Sequence, residues 1–224
     1  TSAAGEGDYA NRLLVMIGLA SMGVAGALLL GQRDLKRMLA YSSVEQMGIL
    51  ALATGLGAGA TFATLLHLVN NALGKGALFL AVGNVHRAFG GKTTGEVRGA
   101  LRRLPVSGTI FLLSFFAVTG SPPFGLFVSE MLILKSVFAA HRWLVGGLFL
   151  AGLFVVFAGM GATSLAALQG RPPASARASS YRDGFATAAP ALLLLGLVLL
   201  FGLHLPAGIR DLIADAAAAL EVGR

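Results

Sequence analysis

LLHLVNNALGKGALFLAVGNV, residues 65–85, is apolar enough to cross a membrane, yet it carries one histidine, three asparagines and one lysine. His67, Asn71 and Lys75 follow one another at intervals of four residues. On an α-helix, residues four positions apart lie on the same face. The spacing therefore predicts a ladder of polar groups inside hydrocarbon, where ionisable side chains are costly and are typical of ion or proton paths.

The composition indicates an integral membrane protein. Of the 224 residues, 56% are hydrophobic and 12% are charged, whereas soluble domains carry about 25% charged residues. The sequence contains no cysteine, which excludes thiolate ligation of zinc or iron–sulfur clusters within it. We expect no cofactor, no metal site and no redox centre of its own. The net charge of +7 is explained by basic cytoplasmic loops, and we expect no nucleic-acid binding.

The apolar runs predict about six transmembrane helices, because about 20 residues rising 1.5 Å each cross the hydrocarbon core. The predicted spans are 13–32, 35–56, 61–86, 106–140, 143–168 and 185–205. The first residues, TSAAGEGDYANR, lack an initiator methionine and a signal-peptide pattern, and we expect them to lie inside a longer protein. The predicted divisions are an extracytoplasmic N-terminal segment (1–12), a five-helix unit (13–168), a cytoplasmic linker (169–184), a terminal transmembrane helix (185–205) and an amphipathic tail (206–224).

The fourth span, residues 106–140, has an unusual length. A straight helix over it would be about 52 Å long, too long for one crossing, whereas two crossings and a loop need more residues. TGSPPFG lies at its middle, and paired prolines interrupt a helix. The two interpretations are one discontinuous helix or a re-entrant hairpin. The predicted break comprises Gly120, Pro122, Pro123 and Gly125.

Basic residues are distributed as the positive-inside rule requires if residues 106–140 cross the membrane once. One side then receives 11 Lys and Arg side chains and the other side receives 4. The basic side holds the loops at 33–37, 87–103 and 170–184. We therefore favour one crossing through a broken helix, with these loops cytoplasmic and the N-terminus outside.

Ionisable residues are predicted near the middle of three spans. Glu45 and Lys75 lie near the centres of their spans, Glu130 follows the break, and His67 lies about two turns from Lys75. A structural scaffold gains nothing from three central charges, each of which costs roughly 2.5–3.5 kcal/mol on insertion. We interpret these four residues as a proton relay, since burial and neighbours adjust such groups for proton exchange. The supporting polar residues are Asn70, Asn71, Lys36 and Lys135.

Three motifs carry a family resemblance. DLKRMLAYSSVEQMG (34–48), LLHLVNNALGKGALFL (65–80) and TGSPPFGLFVSEMLIL (119–134) resemble the antiporter-like, proton-translocating membrane subunits of the complex I superfamily, of the NADH–quinone oxidoreductase and Mrp antiporter type. SSVEQMG and TGSPPFGLFVSE are most similar to the energy-converting hydrogenase branch, with hydrogenase-4 and formate hydrogenlyase. The resemblance implies an all-α membrane fold that corresponds to the C-terminal half of such subunits: the second five-helix inverted repeat plus the terminal helix.

The same resemblance assigns roles to individual residues. Lys75 and His67 match the central relay positions of the repeat, Glu130 matches the ionisable residue of the broken helix, and Lys36 matches the charged cytoplasmic end of the preceding helix. Asn71 stands where some relatives carry a second histidine. The first repeat, with its own Glu and Lys, is absent from this sequence, and a lone second repeat is not expected to pump.

Three functions compete at this point. The favoured one is a proton-translocating, non-catalytic subunit of a redox-driven, hydrogenase-linked complex in a bacterial or archaeal plasma membrane. Its expected partners are the lipid bilayer, other membrane subunits and a peripheral hydrogenase or dehydrogenase arm. A sodium/proton antiporter subunit is the alternative within transport. A structural membrane anchor is the alternative of another class, but it leaves Glu45, Lys75 and Glu130 unexplained.

Overall fold

The predicted all-α architecture is confirmed. The computed structural model describes residues 2–174 and 180–222, so parts of the predicted N-terminal segment, linker and tail lie outside the described residues. Within those ranges the secondary structure is helical apart from one isolated bridge, between Asp34 and Thr93. The helices are α1 Ser2–Leu29, α2 Leu35–Thr54, α3 Thr61–Phe89, α4 Ala100–Arg103, α5 Pro105–Val118, α6 Gly125–Ala139, α7 Trp143–Leu168, α8 Phe185–Leu203 and α9 Ala207–Val222, with a 3₁₀ turn at Ala58–Ala60.

Among the described residues, four helical segments are long and apolar enough to cross a membrane: Gly7–Leu29, Ala58–Phe89, Trp143–Leu168 and Phe185–Leu203. Helix α2 carries three charged residues, and α5 and α6 are each too short to cross alone, at 14 and 15 residues. If α2 and the consecutive pair α5–α6 also cross, the predicted count of about six is reached. Helix α1 begins well before residue 13, because hydropathy marks the start of an apolar run and not the start of a helix.

Helices α5 and α6 follow one another through the bundle as one interrupted helix. At the start of α5, the hydroxyl of Ser107 donates to Asp183 in the linker at 2.5 Å. At the end of α6, the hydroxyl of Ser136 donates to the carbonyl of Gly59, in the turn between α2 and α3, at 2.9 Å. The two ends therefore lie at opposite ends of the bundle, as the discontinuous-helix interpretation requires and a hairpin does not.

The three basic loops meet at one end of the bundle. The backbone N–H of Leu35 donates to Lys92 at 2.8 Å, and that of Gly99 donates to Gln169 at 2.7 Å. These bonds join the α1–α2 loop to the α3–α4 loop, and the latter to the start of the linker. The structure thus groups the loops that the sequence assigned to one side of the membrane.

Two acidic side chains order this end. Asp34 caps α2 by accepting from two backbone N–H groups of its first turn, at 2.8 and 3.2 Å, and it also pairs with Lys92 at 3.6 Å. Glu96 accepts from the backbone N–H and the hydroxyl of Thr93, at 3.1 and 2.8 Å. These bonds favour the ionised carboxylate and lower the pKa of Glu96.

Helices α1 and α2 approach each other closely at paired glycines. A Cβ on Gly18 would lie 2.6 Å from the carbonyl oxygen of Gly48, and a Cβ on Gly48 would lie 2.8 Å from that of Gly18. Small residues allow membrane helices to pack at such short separation. Helix α2 is thereby held with its polar residues facing α3.

The only tryptophan of the chain is the first residue of α7, directly after the turn from α6. His141 adopts a left-handed backbone with φ of +55°, which reverses the chain direction. Trp143 then stacks on Phe138, with ring centroids 5.1 Å apart and an interplanar angle of 30°. The ring remains 66% exposed, so it joins the ends of two helices without entering the core.

The predicted amphipathic tail forms α9, which packs against α3. Ile213 and Ala217 lie four residues apart and are both buried, whereas Leu212 is exposed. One stripe of α9 therefore faces α3, and the remainder of the helix surface is left uncovered by the described residues.

Candidate cation path

The four predicted relay residues are all buried, on three helices. Glu45 lies on α2, His67 and Lys75 lie on α3, and Glu130 lies on α6, and none is more than 8% exposed. Glu45 interacts electrostatically both with Lys75 and with Glu130. Two carboxyl groups and one ammonium group from three helices therefore form one electrostatic unit inside the bundle.

Lys75 contacts α2 through a hydroxyl group. Its ammonium donates to the Oγ of Ser42, and that hydroxyl in turn donates to the carbonyl of Leu39 at 2.9 Å. Glu45 lies one turn further along α2, on the same side of the helix as Ser42. Ser42 therefore links the Lys75 ammonium to the backbone of α2, one helical turn from Glu45.

The carboxyl group of Glu45 is connected to the helix break by Gln46. The Nε2 of Gln46 donates to Glu45 Oε2 at 2.9 Å and to the carbonyl of Val118, the last residue of α5, at 3.2 Å. Gln46 is 1% exposed. Sequence reasoning did not single it out; the only signal was its position beside the buried Glu45.

Glu130 lies directly against the break. Gly120 has a left-handed backbone with φ of +63°, and a Cβ there would lie 2.7 Å from Cδ of Glu130 and would overlap its Oε2. Only glycine both adopts this conformation easily and leaves room for the carboxyl group. The predicted break and the predicted relay carboxyl are therefore parts of one local structure.

His67 reaches α6 through Ser129. Its Nδ1 lies 3.0 Å from Ser129 Oγ, and the same hydroxyl donates to the carbonyl of Leu126 at 2.9 Å. While this hydroxyl donates to Leu126, Nδ1 of His67 can only donate to it, because a hydroxyl has one hydrogen. The Nε2 of His67 is buried and has no protein partner among the described residues.

Asn70 holds the other end of the break. Its Nδ2 donates to the carbonyl of Gly125, the first residue of α6, at 2.9 Å. A Cβ on Gly125 would lie 2.8 Å from Cγ of Asn70, so the glycine admits the amide. Asn71 is also buried, and its Oδ1 has no protein partner among the described residues.

Two of the predicted supporting residues lie outside this buried cluster. Lys36 is exposed near the start of α2, where it lines a cavity of about 260 Å³ with Phe79 and His86. Lys135 is exposed near the end of α6, where it lines a cavity of about 470 Å³ beside Phe62. The two lysines therefore lie towards opposite ends of the bundle, with the buried cluster between them.

Helix α8 packs directly on the break, a contact that sequence reasoning missed. A Cβ on Gly202 would lie 2.5 Å from the backbone carbon of Phe124 and 2.8 Å from the backbone nitrogen of Gly125, and it would overlap the carbonyl oxygen of Pro123. The absence of a side chain at Gly202 is thus required for α8 to cover the break.

Replacing Gly202 with alanine is expected to destabilise the protein by about 1–3 kcal/mol, because the new methyl group meets backbone that cannot move as a side chain can. Gly196→Ala on the same helix is the matched control, since a Cβ at Gly196 meets none of the described residues within 4 Å. The measurement is the thermal unfolding midpoint of the purified assembly that contains each variant. Equal midpoints for the two variants would contradict the close contact.

Comparison with known protein families identifies the family of the chain. A family model described as NADH:quinone oxidoreductase/Mrp antiporter, TM, matches residues 4–155, which include α2, α3, α5 and α6. The chain belongs to this family. The resemblance noted from its three motifs is thereby confirmed.

Two curated relatives illustrate the breadth of the NADH:quinone oxidoreductase/Mrp antiporter family. The chain is 40% identical over 131 residues to a hydrogenase-4 component F homolog of Methylacidiphilum infernorum, covering 58% of this chain and 28% of that protein. It is 32% identical over 143 residues to Na(+)/H(+) antiporter subunit A1 of Staphylococcus aureus, covering 58% of this chain and 18% of that protein. The chain thus spans less than a third of the length of these relatives.

Three solved structures share the fold. A chain of the Mrp complex from Dietzia sp. matches with a TM-score of 0.84 at 23% identity, over 96% of this chain and 48% of that one. A chain of the archaeal membrane-bound sulfane sulfur reductase matches with a TM-score of 0.82 at 23% identity, over 90% of this chain and 34% of that one. A chain of respiratory complex I from Thermus thermophilus matches with a TM-score of 0.78 at 24% identity, over 95% of this chain and 45% of that one. The predicted all-α fold is therefore confirmed.

Proposed function

We propose that this chain conducts protons across the membrane through Glu45, Lys75, His67 and Glu130, as a non-catalytic subunit of a redox-driven complex. The observation that carries the proposal is the electrostatic unit formed by Glu45, Lys75 and Glu130, which are buried on three different helices. Charges are costly at this depth and occur in membrane spans mainly where they serve transport.

The chemistry of the relay follows from the charges. Two carboxylates in one buried region repel each other, so the protonation of either one depends on the other and on the ammonium of Lys75. A proton that leaves Lys75 for Glu45 neutralises both groups and removes the repulsion that Glu130 experiences from Glu45. Glu130 then ionises at lower cost, and its proton is available on the α6 side of the bundle. Protonation of Glu45 therefore alternates with release of the proton from Glu130.

The hydrogenase link is part of the proposal. It is supported by the higher identity to the hydrogenase-4 component F homolog, 40% against 32% for the antiporter subunit. We place the chain in a bacterial or archaeal plasma membrane, with the basic loops cytoplasmic and the N-terminus outside, following the positive-inside rule. Neighbouring membrane subunits and a peripheral hydrogenase or dehydrogenase arm complete the proposed complex.

A sodium/proton antiporter subunit is the second candidate. It is favoured by the match to Na(+)/H(+) antiporter subunit A1 and by the fold shared with the Mrp complex. The same buried carboxyl and ammonium groups would serve exchange of the two cations. A structural anchor is the weaker candidate, because it gives no reason to bury two acidic groups and one basic group together.

Inverted membrane vesicles that contain the complete complex distinguish these functions. We expect addition of the electron donor to acidify the vesicle interior, as read by a pH-sensitive dye, with or without added sodium. A pH change that requires a sodium gradient and no electron donor would replace the proposal with the antiporter. The absence of either response, with the complex intact, would favour the structural anchor.

A further inference from the structure

The two ends of the helix break are held by two amide side chains from different helices. Gln46 of α2 donates to Val118, the last residue of α5, at 3.2 Å. Asn70 of α3 donates to Gly125, the first residue of α6, at 2.9 Å. The two amides differ in one respect, because only Gln46 also contacts a carboxyl group, that of Glu45.

The charge of Glu45 decides which end of the Gln46 amide can bond to it. A carboxylate accepts hydrogen bonds only, so it holds the Nε2 of Gln46, which also reaches Val118. A protonated carboxyl group donates, and Oε1 of the same amide is an acceptor that has no protein partner among the described residues. Rotation of the amide places Oε1 where Nε2 was, close to both Glu45 and Val118. Oε1 then accepts from Glu45, but it cannot donate to the carbonyl of Val118, and that hydrogen bond is lost.

We propose that Gln46 is a positioning residue that couples the charge of Glu45 to the α5 end of the helix break, while Asn70 keeps the α6 end fixed. This inference rests on the proposed function, since it gives proton arrival at Glu45 a consequence at the break beside Glu130. When Glu45 is ionised, Gln46 keeps its hydrogen bond to Val118 and the α5 end of the break is closed. When Glu45 is protonated, that hydrogen bond is lost and the α5 end opens.

The groups that set the charge of Glu45 come from two neighbouring helices. Lys75 on α3 attracts its negative charge, and Glu130 on α6 repels it. Helices α5 and α7 contain no charged residue, and the acidic and basic residues of α1 all lie in its first half. The coupling therefore depends on Glu45, Lys75 and Glu130.

The test uses a cysteine in the break of the full chain within its complex. The chain has no native cysteine, so Ser121→Cys can be alkylated specifically and followed on this chain. Thiolate content rises with pH for every cysteine, so each rate is divided by that of an exposed Ser180→Cys reference. As the pH falls from about 9 to about 5, we expect this ratio of alkylation rates to rise about fivefold. That is the change in the equilibrium between closed and open break that the loss of one hydrogen bond gives.

Substitutions at the two partners decide the cause. Gln46→Met keeps the length of the side chain and removes its donors, and Glu45→Gln fixes its neighbour in an uncharged form. Both are expected to make the ratio independent of pH, whereas Gln169→Met, the matched change at an exposed glutamine, preserves the dependence. Gln46→Asn, whose amide is too short to reach both partners, replaces Gln46→Met if that variant does not accumulate.

The inference is overturned by a ratio that does not change with pH in the parent, or by pH dependence that survives Glu45→Gln or the Gln46 variant. Failure of the proposed function is separable from these outcomes. It would show as proton transport that persists in Lys75→Ala, whereas the alkylation ratio is measured without any transport.

Discussion

Replacing Lys75 with alanine is expected to reduce proton translocation to the background rate while the complex still assembles. The change leaves Glu45 and Glu130 in one buried region without a positive charge, so the pair retains a proton that it no longer passes on. Because a bound proton also neutralises a buried carboxylate, the protein avoids most of the cost of an unpaired charge. Donor-driven acidification of inverted vesicles measures transport, and native gel electrophoresis measures assembly.

Arg102→Ala is the matched control for this change, because Arg102 is exposed in the basic loop before α5. It removes the same charge from the chain without entering the bundle. We expect it to preserve most of the transport rate. Transport that survives Lys75→Ala at the parent rate, or that is lost equally in Arg102→Ala, would contradict the relay.

Replacing Glu130 with glutamine is expected to have an equally complete effect on transport. Glutamine has nearly the same shape, so its contact with Gly120 is kept, but it neither binds nor releases a proton near neutral pH. The unfolding midpoint of the assembly should therefore stay near that of the parent, while vesicle acidification falls to background. Transport above half of the parent rate would remove Glu130 from the relay.

Gly120→Ala tests the same site from the other side of the contact. The added methyl group displaces the carboxyl group of Glu130 and also strains the left-handed backbone by about 1 kcal/mol or more. Gly90→Ala carries a similar strain, with φ of +69°, but its Cβ would meet no atom within 4 Å in the part of the chain that the structure describes. We expect Gly120→Ala to slow transport clearly more than Gly90→Ala does. Equal rates in the two variants would show that strain alone was measured.

Helix positions and the break were predictable because each depends on residues that are near in sequence. Apolar runs located the spans, and the two adjacent prolines with Gly120 located the interruption. The burial of Glu45 and Lys75 was also predictable, since a charge at the centre of a span has no route to water along its own helix. Local sequence patterns are sufficient to predict a structural feature when all the residues that determine it lie on one helix.

Contacts between helices were not predictable in the same way. Gln46 and Val118 are 72 residues apart in sequence, and Gly202 meets the break across a similar separation, so no local pattern pairs them. Lys135 was predicted as a supporting polar residue, and it follows Glu130 by five residues just beyond the break. Five residues correspond to more than one helical turn and a different face, and the structure accordingly leaves Lys135 exposed.

Trp143, which stacks on Phe138, is an intrinsic fluorescent reporter. Trp143 is the only indole of the chain, it is largely exposed, and it marks the level at which α6 ends and α7 begins. Indole rings favour the headgroup region of a bilayer. Quenching of its fluorescence by lipids brominated at known depths would give the height of this turn in the membrane, and from it the depth of the residues along α6.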